Sequence, residues 1–237
     1  MNLLIALFHN AIAQAVFWSL LTIGFYLAVK RLYRLWPRLW LTPIAAAPAP
    51  LAIAMLSLHS SYHDYIRGTG WLVSLLGPAT VAFAAPIYRQ RELIRRRWPV
   101  LVAGVLAGSV TALVTSWQLA SLLDLDATTR LSLLPRSTST PFALAVAKDI
   151  GALPDLTTVF VIVTGLSGAF IGEAILSRLP IQSALARGSA LGMSAHGIGT
   201  AKAHELGSEE GSIAGLVMVF AGVCNVIAAP TLVNFLR

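Results

Sequence analysis

Apolar residues fall along this chain in long blocks, not in the one-sided stripes of a surface helix. Free of Lys, Arg, Asp and Glu, residues 1–29, 39–63, 68–88, 98–123 and 211–236 are each long enough to cross a hydrocarbon core. Such a core is about 30 Å thick and takes roughly 20 residues of helix. Residues 156–172 make a sixth span, reaching 177 if Glu173 is accepted inside it. Two further charge-free stretches, 137–147 and 188–201, are too short to cross and are rich in small and hydroxyl residues. The pattern predicts an all-α integral membrane protein of about seven or eight helical segments, discontinuous or re-entrant ones included. Residues 1–237 are expected to form a single transmembrane domain.

Composition agrees. Of 237 residues, 57% are hydrophobic and 11% charged, with a mean hydropathy of +0.76. Soluble domains carry about 25% charged residues. Too few charges are present to coat a folded globule, which excludes a soluble enzyme and a disordered chain. The lone Cys224 excludes an internal disulfide scaffold. Ala13-Gln14-Ala15 has the small-x-small look of a cleavage site. No basic residue precedes it and the apolar run continues to Val29, so it is read as part of the first helix.

The net charge of +7 sharpens the picture through its placement. Lys30, Arg31, Arg34 and Arg38 follow the first span; Arg89, Arg91, Arg95, Arg96 and Arg97 follow the third. Two crossings separate the clusters, which puts them on one side, expected to be the cytoplasmic side of a bacterial inner membrane with the N-terminus outside. They are anchors for anionic headgroups, and no nucleic-acid partner is expected. Whether 131–150 crosses or re-enters shifts the count by a single basic residue. Leu76-Gly77-Pro78-Ala79-Thr80 also echoes Leu191-Gly192-Met193-Ser194-Ala195. Two inverted repeats, 1–123 and 130–237, would explain the echo, as in many secondary transporters.

Three segments hold the candidate chemistry. In Leu134-Pro135-Arg136-Ser137-Thr138-Ser139-Thr140-Pro141, the two prolines should bracket a non-helical stretch. Irregular backbone at membrane depth survives only inside protein or beside a wet cavity. A helix restarting near Pro141 would aim its positive end at that cavity, a seat for a carboxylate. In 192–202, Gly192, Gly197 and Gly199 permit close approach of backbone or ligand. As one continuous helix this segment would carry His196, Thr200 and His204 on one face. The third segment, 77–86, joins Gly77, Pro78, Thr80 and Pro86 inside a full-length run, and a broken helix is expected there.

Other features are discounted. His59 and His63 have the spacing of a zinc pair, with Asp64 adjacent, but lie at a span end beside Tyr62 and Tyr65, as an interfacial belt would. Gly197-Ile198-Gly199 is no dinucleotide fingerprint, because no strand precedes it. No metal, cofactor or catalytic residues are expected, and the chain is not read as an enzyme.

At these segments the chain resembles the LrgB/CidB family of bacterial membrane proteins. The matching stretches are LLGPATVAFAAPIYRQRE at 75–92, LLPRSTSTPFALAVAKDIGALPDLTTVFVIVTG at 133–165 and ARGSALGMSAHGIGTAKAHELG at 186–207. It departs from the family at two points. Glu173 stands where relatives usually have Pro after Gly, which bears on the local helix end, and Ala195-His196-Gly197 replaces Ser-His-Ala, which removes a hydroxyl. The resemblance implies a role in murein hydrolase export and autolysis, opposite a separate holin-like partner of the LrgA/CidA type. It extends to the LrgB-like half of plant plastidic glycolate/glycerate translocators, and so implies small 2-hydroxy monocarboxylates as substrates.

Two functions are therefore expected of different classes. The first is a secondary transporter of small organic anions such as glycolate, glycerate or lactate. Arg136, Ser137, Thr138, Ser139 and Thr140 would line one side of its site, with His196, Gly199 and Thr200 opposite and Thr80 contributed by the third span. His196, Arg187 and Glu173 are the candidates for coupling or for a cation; the imidazole's reference pKa near 6.5 suits proton transfer. The alternative is a holin/antiholin-like regulator of murein hydrolase activity that acts by assembling with its partner. A homo-oligomer is expected in either case.

Overall fold

Proline and hydroxyl residues decide which apolar runs stay straight. The computed structural model describes residues 11–82 and 84–236, which divide in sequence into two units, Met1–Ala79 and Thr80–Arg237.

In the first unit, α1 (Ala11–Leu35) is an unbroken helix. The expected span 39–63 is not. It forms a single 3₁₀ turn (Leu39–Leu41), α2 (Pro43–Ala46) and α3 (Pro48–Ser57). Pro43 sits in a first turn, where a missing N–H is harmless, and opens the run. Ala47 keeps helical dihedrals ahead of Pro48, so Pro43–Ser57 is one short apolar helical stretch nicked at Pro48. His59, at φ 51°, ends the run. A capping box then opens α4 (Tyr62–Ser74): Asp64 N–H donates to Ser61 Oγ and Ser61 N–H to the Asp64 carboxylate, each at 3.2 Å. Bonds from Ser61 hold the Asp64 carboxyl below its ordinary value. His59 and His63 thus fall on either side of a helix start and share no helix face.

Helices α1 and α4 pack through Trp18, fully buried and edge-on to Tyr65. Gly68 makes room: a Cβ there would come within 3.1 Å of the Gln14 carbonyl. Trp71 Nε1 donates to Ser19 Oγ at 2.7 Å. The expected span 68–88 is also interrupted, at Leu75 between α4 and α5 (Leu76–Ala82), with α6 (Ala84–Arg89) beyond. So four helices, not six, are long and apolar enough to cross a membrane among the described residues: Ala11–Leu35, Arg91–Leu122, Pro154–Leu176 and Ser208–Ala229. The chain is an all-α membrane protein.

The second unit holds α7 (Arg91–Leu122), α8 (Ala127–Leu133), a 3₁₀ turn (Leu134–Ser137), α9 (Thr140–Ile150), α10 (Pro154–Leu176), α11 (Ala184–Leu206) and α12 (Ser208–Leu236). Helices α8 and α9 form a re-entrant hairpin, here hairpin A. It starts and finishes at one end of the unit: Leu153 N–H donates to Ser132 Oγ at 3.0 Å, and Thr157 Oγ1 to the Ser132 carbonyl at 3.1 Å. Gly151, at φ 76°, closes α9 in the left-handed conformation that glycine adopts freely.

Helix α11 is a second re-entrant hairpin, hairpin B. His196 has φ 39° and ψ −119°, which no helix accommodates, and the chain turns back there. Before the turn Gly188 faces Glu210 and Ile213, and Gly192 faces Ala214; after it Thr200 faces Gly215 and His204 faces Gly211. The first arm therefore runs alongside α12 in the same direction and the second runs against it. Gly199 lies directly on the Leu191 carbonyl, whereas eight residues of straight helix would part them by about 12 Å. His196, Thr200 and His204 consequently do not share the face that one continuous helix would have given them. The break cancels that register.

The hairpins occupy opposite halves of the pair α10 and α12. Hairpin A meets α12 through Val146, Ala147 and Ala229, hairpin B through Leu191, Ala203 and Ala214. Both fall within 127–206, so their opposition is internal to the second half of the chain.

Candidate functional site

Hairpin A reverses through Leu134–Ser137 and then through Thr138 and Ser139, both extended, before α9 begins at Thr140. Of the non-helical stretch expected between Pro135 and Pro141, only Thr138 and Ser139 are extended; 135–137 belong to the 3₁₀ turn and Thr140 already opens α9. Thr138 ties the turn with its own groups: its N–H and Oγ1 both donate to the Pro135 carbonyl, at 3.2 and 2.9 Å. Ser137, Thr138 and Ser139 are buried, and Thr140 is half-buried. Ser139 occupies the N-cap of α9 without bonding it, and its buried Oγ has no hydrogen-bond partner.

Arg136 points from this tip between two long helices. Its Nε donates to Ser116 Oγ of α7 at 2.8 Å, and Nη1 lies 3.4 Å from Thr164 Oγ1 of α10. Thr164 stands near the middle of α10, so the guanidinium sits at mid-depth of a spanning helix. No carboxylate pairs with it among the described residues. A cation there is expensive unless an anion or polar groups compensate it.

The tip of hairpin B faces the same place. The His196 ring is 4% exposed and lies against the main chain at Arg136. Gly165 of α10 admits it: a Cβ at that position would lie 2.7 Å from His196 Cε1. His196 Nε2 has no hydrogen-bond partner. Buried polar atoms are almost always paired, so the unpaired Ser139 Oγ and His196 Nε2 stand out, one on each hairpin tip. A positive φ on a bulky side chain stores of order 1–3 kcal/mol. Gly197, which would take that φ freely, is the very next residue. Strain is thus held at the residue that carries the imidazole.

Other expected residues serve the hairpins themselves. Thr200 Oγ1 donates to the His196 carbonyl at 2.9 Å and pins the turn, and Gly199 is buried against Leu191. Glu173 and Arg187 lie away from the tips. Glu173 pairs with Lys202 at 2.9 Å, and Lys202 also reaches Glu205 at 2.8 Å. Arg187 adjoins Gly188 at the base of hairpin B, its Nε buried without a partner. The side chain of Thr80 lies outside the described residues. Ser116 and Thr164 were not anticipated. Their signal is faint: each is one of several hydroxyls in its helix, Ser116 beside Thr115 in α7 and Thr164 three residues before Ser167 in α10.

Comparison with known proteins fits this architecture to a family. A family model described as LrgB-like matches residues 22–235. The chain is 38% identical to the Bacillus subtilis protein YwbG over 91% of its own length and 96% of the relative's. It is 33% identical to the antiholin-like protein LrgB of Bacillus subtilis, covering 82% of this chain and 84% of that one. It is 29% identical to the holin-like protein CidB of Staphylococcus aureus, covering 94% and 98%. No solved structure matches it.

Proposed function

We propose that this chain, which belongs to the LrgB-like family, is a secondary transporter that binds small monocarboxylates such as glycolate, glycerate or lactate where its two hairpin tips meet. The observation that carries the reading is a mid-depth Arg136 without an acidic partner, beside two buried polar atoms that lack any, Ser139 Oγ and His196 Nε2. A carboxylate would neutralise the guanidinium, accept from Ser139 and the N-terminal end of α9, and leave His196 to carry a coupled proton. In this reading the protein lies in the bacterial cytoplasmic membrane with Lys30–Arg38 and Arg89–Arg97 inside and the N-terminus outside. An LrgA/CidA-type partner assembles with it, and autolysis responds to the metabolites it moves. Purified protein in liposomes, partner present, is expected to accumulate labelled glycolate or lactate under a proton gradient. Arg136→Gln and His196→Ala should each lower the rate at least tenfold. Absence of accumulation for every small carboxylate, under any gradient, overturns the proposal.

A second reading is favoured by the names of two relatives, holin-like and antiholin-like. Here the chain regulates murein hydrolase activity through assembly with its partner. Its function would then tolerate His196→Ala and Thr140→Val so long as assembly persists. Loss of autolysis control in those variants, with the complex intact, counts against it.

A further inference from the structure

Arg136 is not sealed between the hairpins. It lies at the mid-helix end of a shallow, open cleft of about 380 Å³ that follows α10 from Thr164 to Leu176, with Ala190 and Ser194 of hairpin B on the far wall and Ile181 at the other end. Twelve residues of helix make the cleft about 18 Å long. Its mid-helix end is polar, with Thr164 already bonded to the guanidinium. Towards the other end the wall changes to Ile171, Ile175 and Leu176, and Arg136 is the single charged residue in the lining.

One cation at the end of an apolar trough matches an anion with one charge and an uncharged tail. We infer that this cleft is a subsite for the aliphatic tail of a monocarboxylate whose head meets Arg136, and the route by which such an anion reaches the tips. The inference rests on the anion-binding reading of the tips. It adds that a longer unbranched tail strengthens binding, by about fourfold for each methylene that finds the apolar wall. A second carboxylate would lie against isoleucine without a counter-charge, so dicarboxylates bind at least tenfold more weakly.

The test uses full-length protein in liposomes, in a Cys224→Ser background, with Ile171→Cys as reporter. A negatively charged methanethiosulfonate reagent is expected to modify the new thiol. Pentanoate should protect it at concentrations at least tenfold below those needed of glycolate, succinate should protect poorly, and pentan-1-ol not at all. Arg136→Gln should abolish protection by both monocarboxylates. The tail-length series and the alcohol control need no Arg136 variant, so a folding defect there leaves the test intact. Lack of modification means that lipid fills the cleft and overturns the inference; equal protection by glycolate and pentanoate, or protection by the alcohol, also overturns it. Glycolate uptake untouched by modification refutes the cleft while leaving transport standing. Protection without accumulation of any carboxylate refutes transport while leaving the subsite.

Discussion

Hairpin A turns through four 3₁₀ residues and two extended ones, and the Thr138 hydroxyl bonds back to the Pro135 carbonyl that the turn frees. Hairpin B turns at one residue, His196, held at φ 39° by close backbone packing on either side. Both answer the same demand, that backbone broken at membrane depth be satisfied within the protein. Each tip satisfies a freed carbonyl with a hydroxyl, Thr138 Oγ1 on Pro135 O in hairpin A and Thr200 Oγ1 on His196 O in hairpin B. Hairpin B relies in addition on close packing at Gly192 and Gly199. Between transmembrane helices there is no hydrophobic driving force, so close van der Waals contact at small residues carries the association. The difference therefore concerns vulnerability: hairpin B should fail when volume is added, hairpin A when a bond is removed.

The largest effect is expected from Gly192→Val. A Cβ at Gly192 collides with the main chain of Ala214, which cannot move aside as a flexible side chain could. Hairpin B would then leave α12 or distort it, at about 3 kcal/mol or more. Loss of monodisperse elution from detergent, or a strongly lowered thermal midpoint, checks this. Wild-type behaviour would mean that shape does not hold hairpin B.

Ser132→Ala is the corresponding break in hairpin A. It removes the acceptor of Leu153 N–H at 3.0 Å and the hydroxyl that donates to Thr128 O at 2.7 Å. Losing a part-buried hydrogen bond of this kind costs about 0.5–1.5 kcal/mol, and the expected loss lies in that range with no gross misfolding. Faster hydrogen exchange at Leu153, with α10 otherwise unchanged, is the signature of an opened hairpin base. Ser132→Thr keeps the hydroxyl and should recover most of the loss.

The same contrast explains what was legible in the sequence. Pro135 and Pro141 act through their own backbone, so the break at 134–139 was readable locally, as was the restart of α9 at Thr140. The prolines at 43 and 48 carried equally local signals, but the unbroken hydropathy of 39–63 outweighed them and suggested a span that the structure divides. Gly192 and Gly199 announced close approach without saying to what. The reversal at His196 depends on Ala214, Leu191 and Gly165, far apart in sequence or beyond a turn, so local periodicity kept the segment helical. Ser116 and Thr164 escaped notice because hydroxyls in spanning helices usually bond their own helix, as Ser116 also does to Ala112 O at 2.6 Å.

The smallest effect is expected from Glu173→Gln, which tests whether chemistry is confined to the tips. Glu173 lies two turns beyond Gly165 on α10, about 12 Å along the axis. It pairs with Lys202, whose ammonium has a second carboxylate in Glu205. The Glu173 side chain is 43% exposed, and partly exposed ion pairs are worth about 0–1 kcal/mol. The variant should therefore unfold within about 1 kcal/mol of wild type, and its uptake should stay within twofold at every pH. If uptake instead fell tenfold and lost its pH dependence, Glu173 would be the proton carrier. His196 would then be left as a strained hinge, and the polar break of hairpin A would bind the anion without its counterpart in hairpin B.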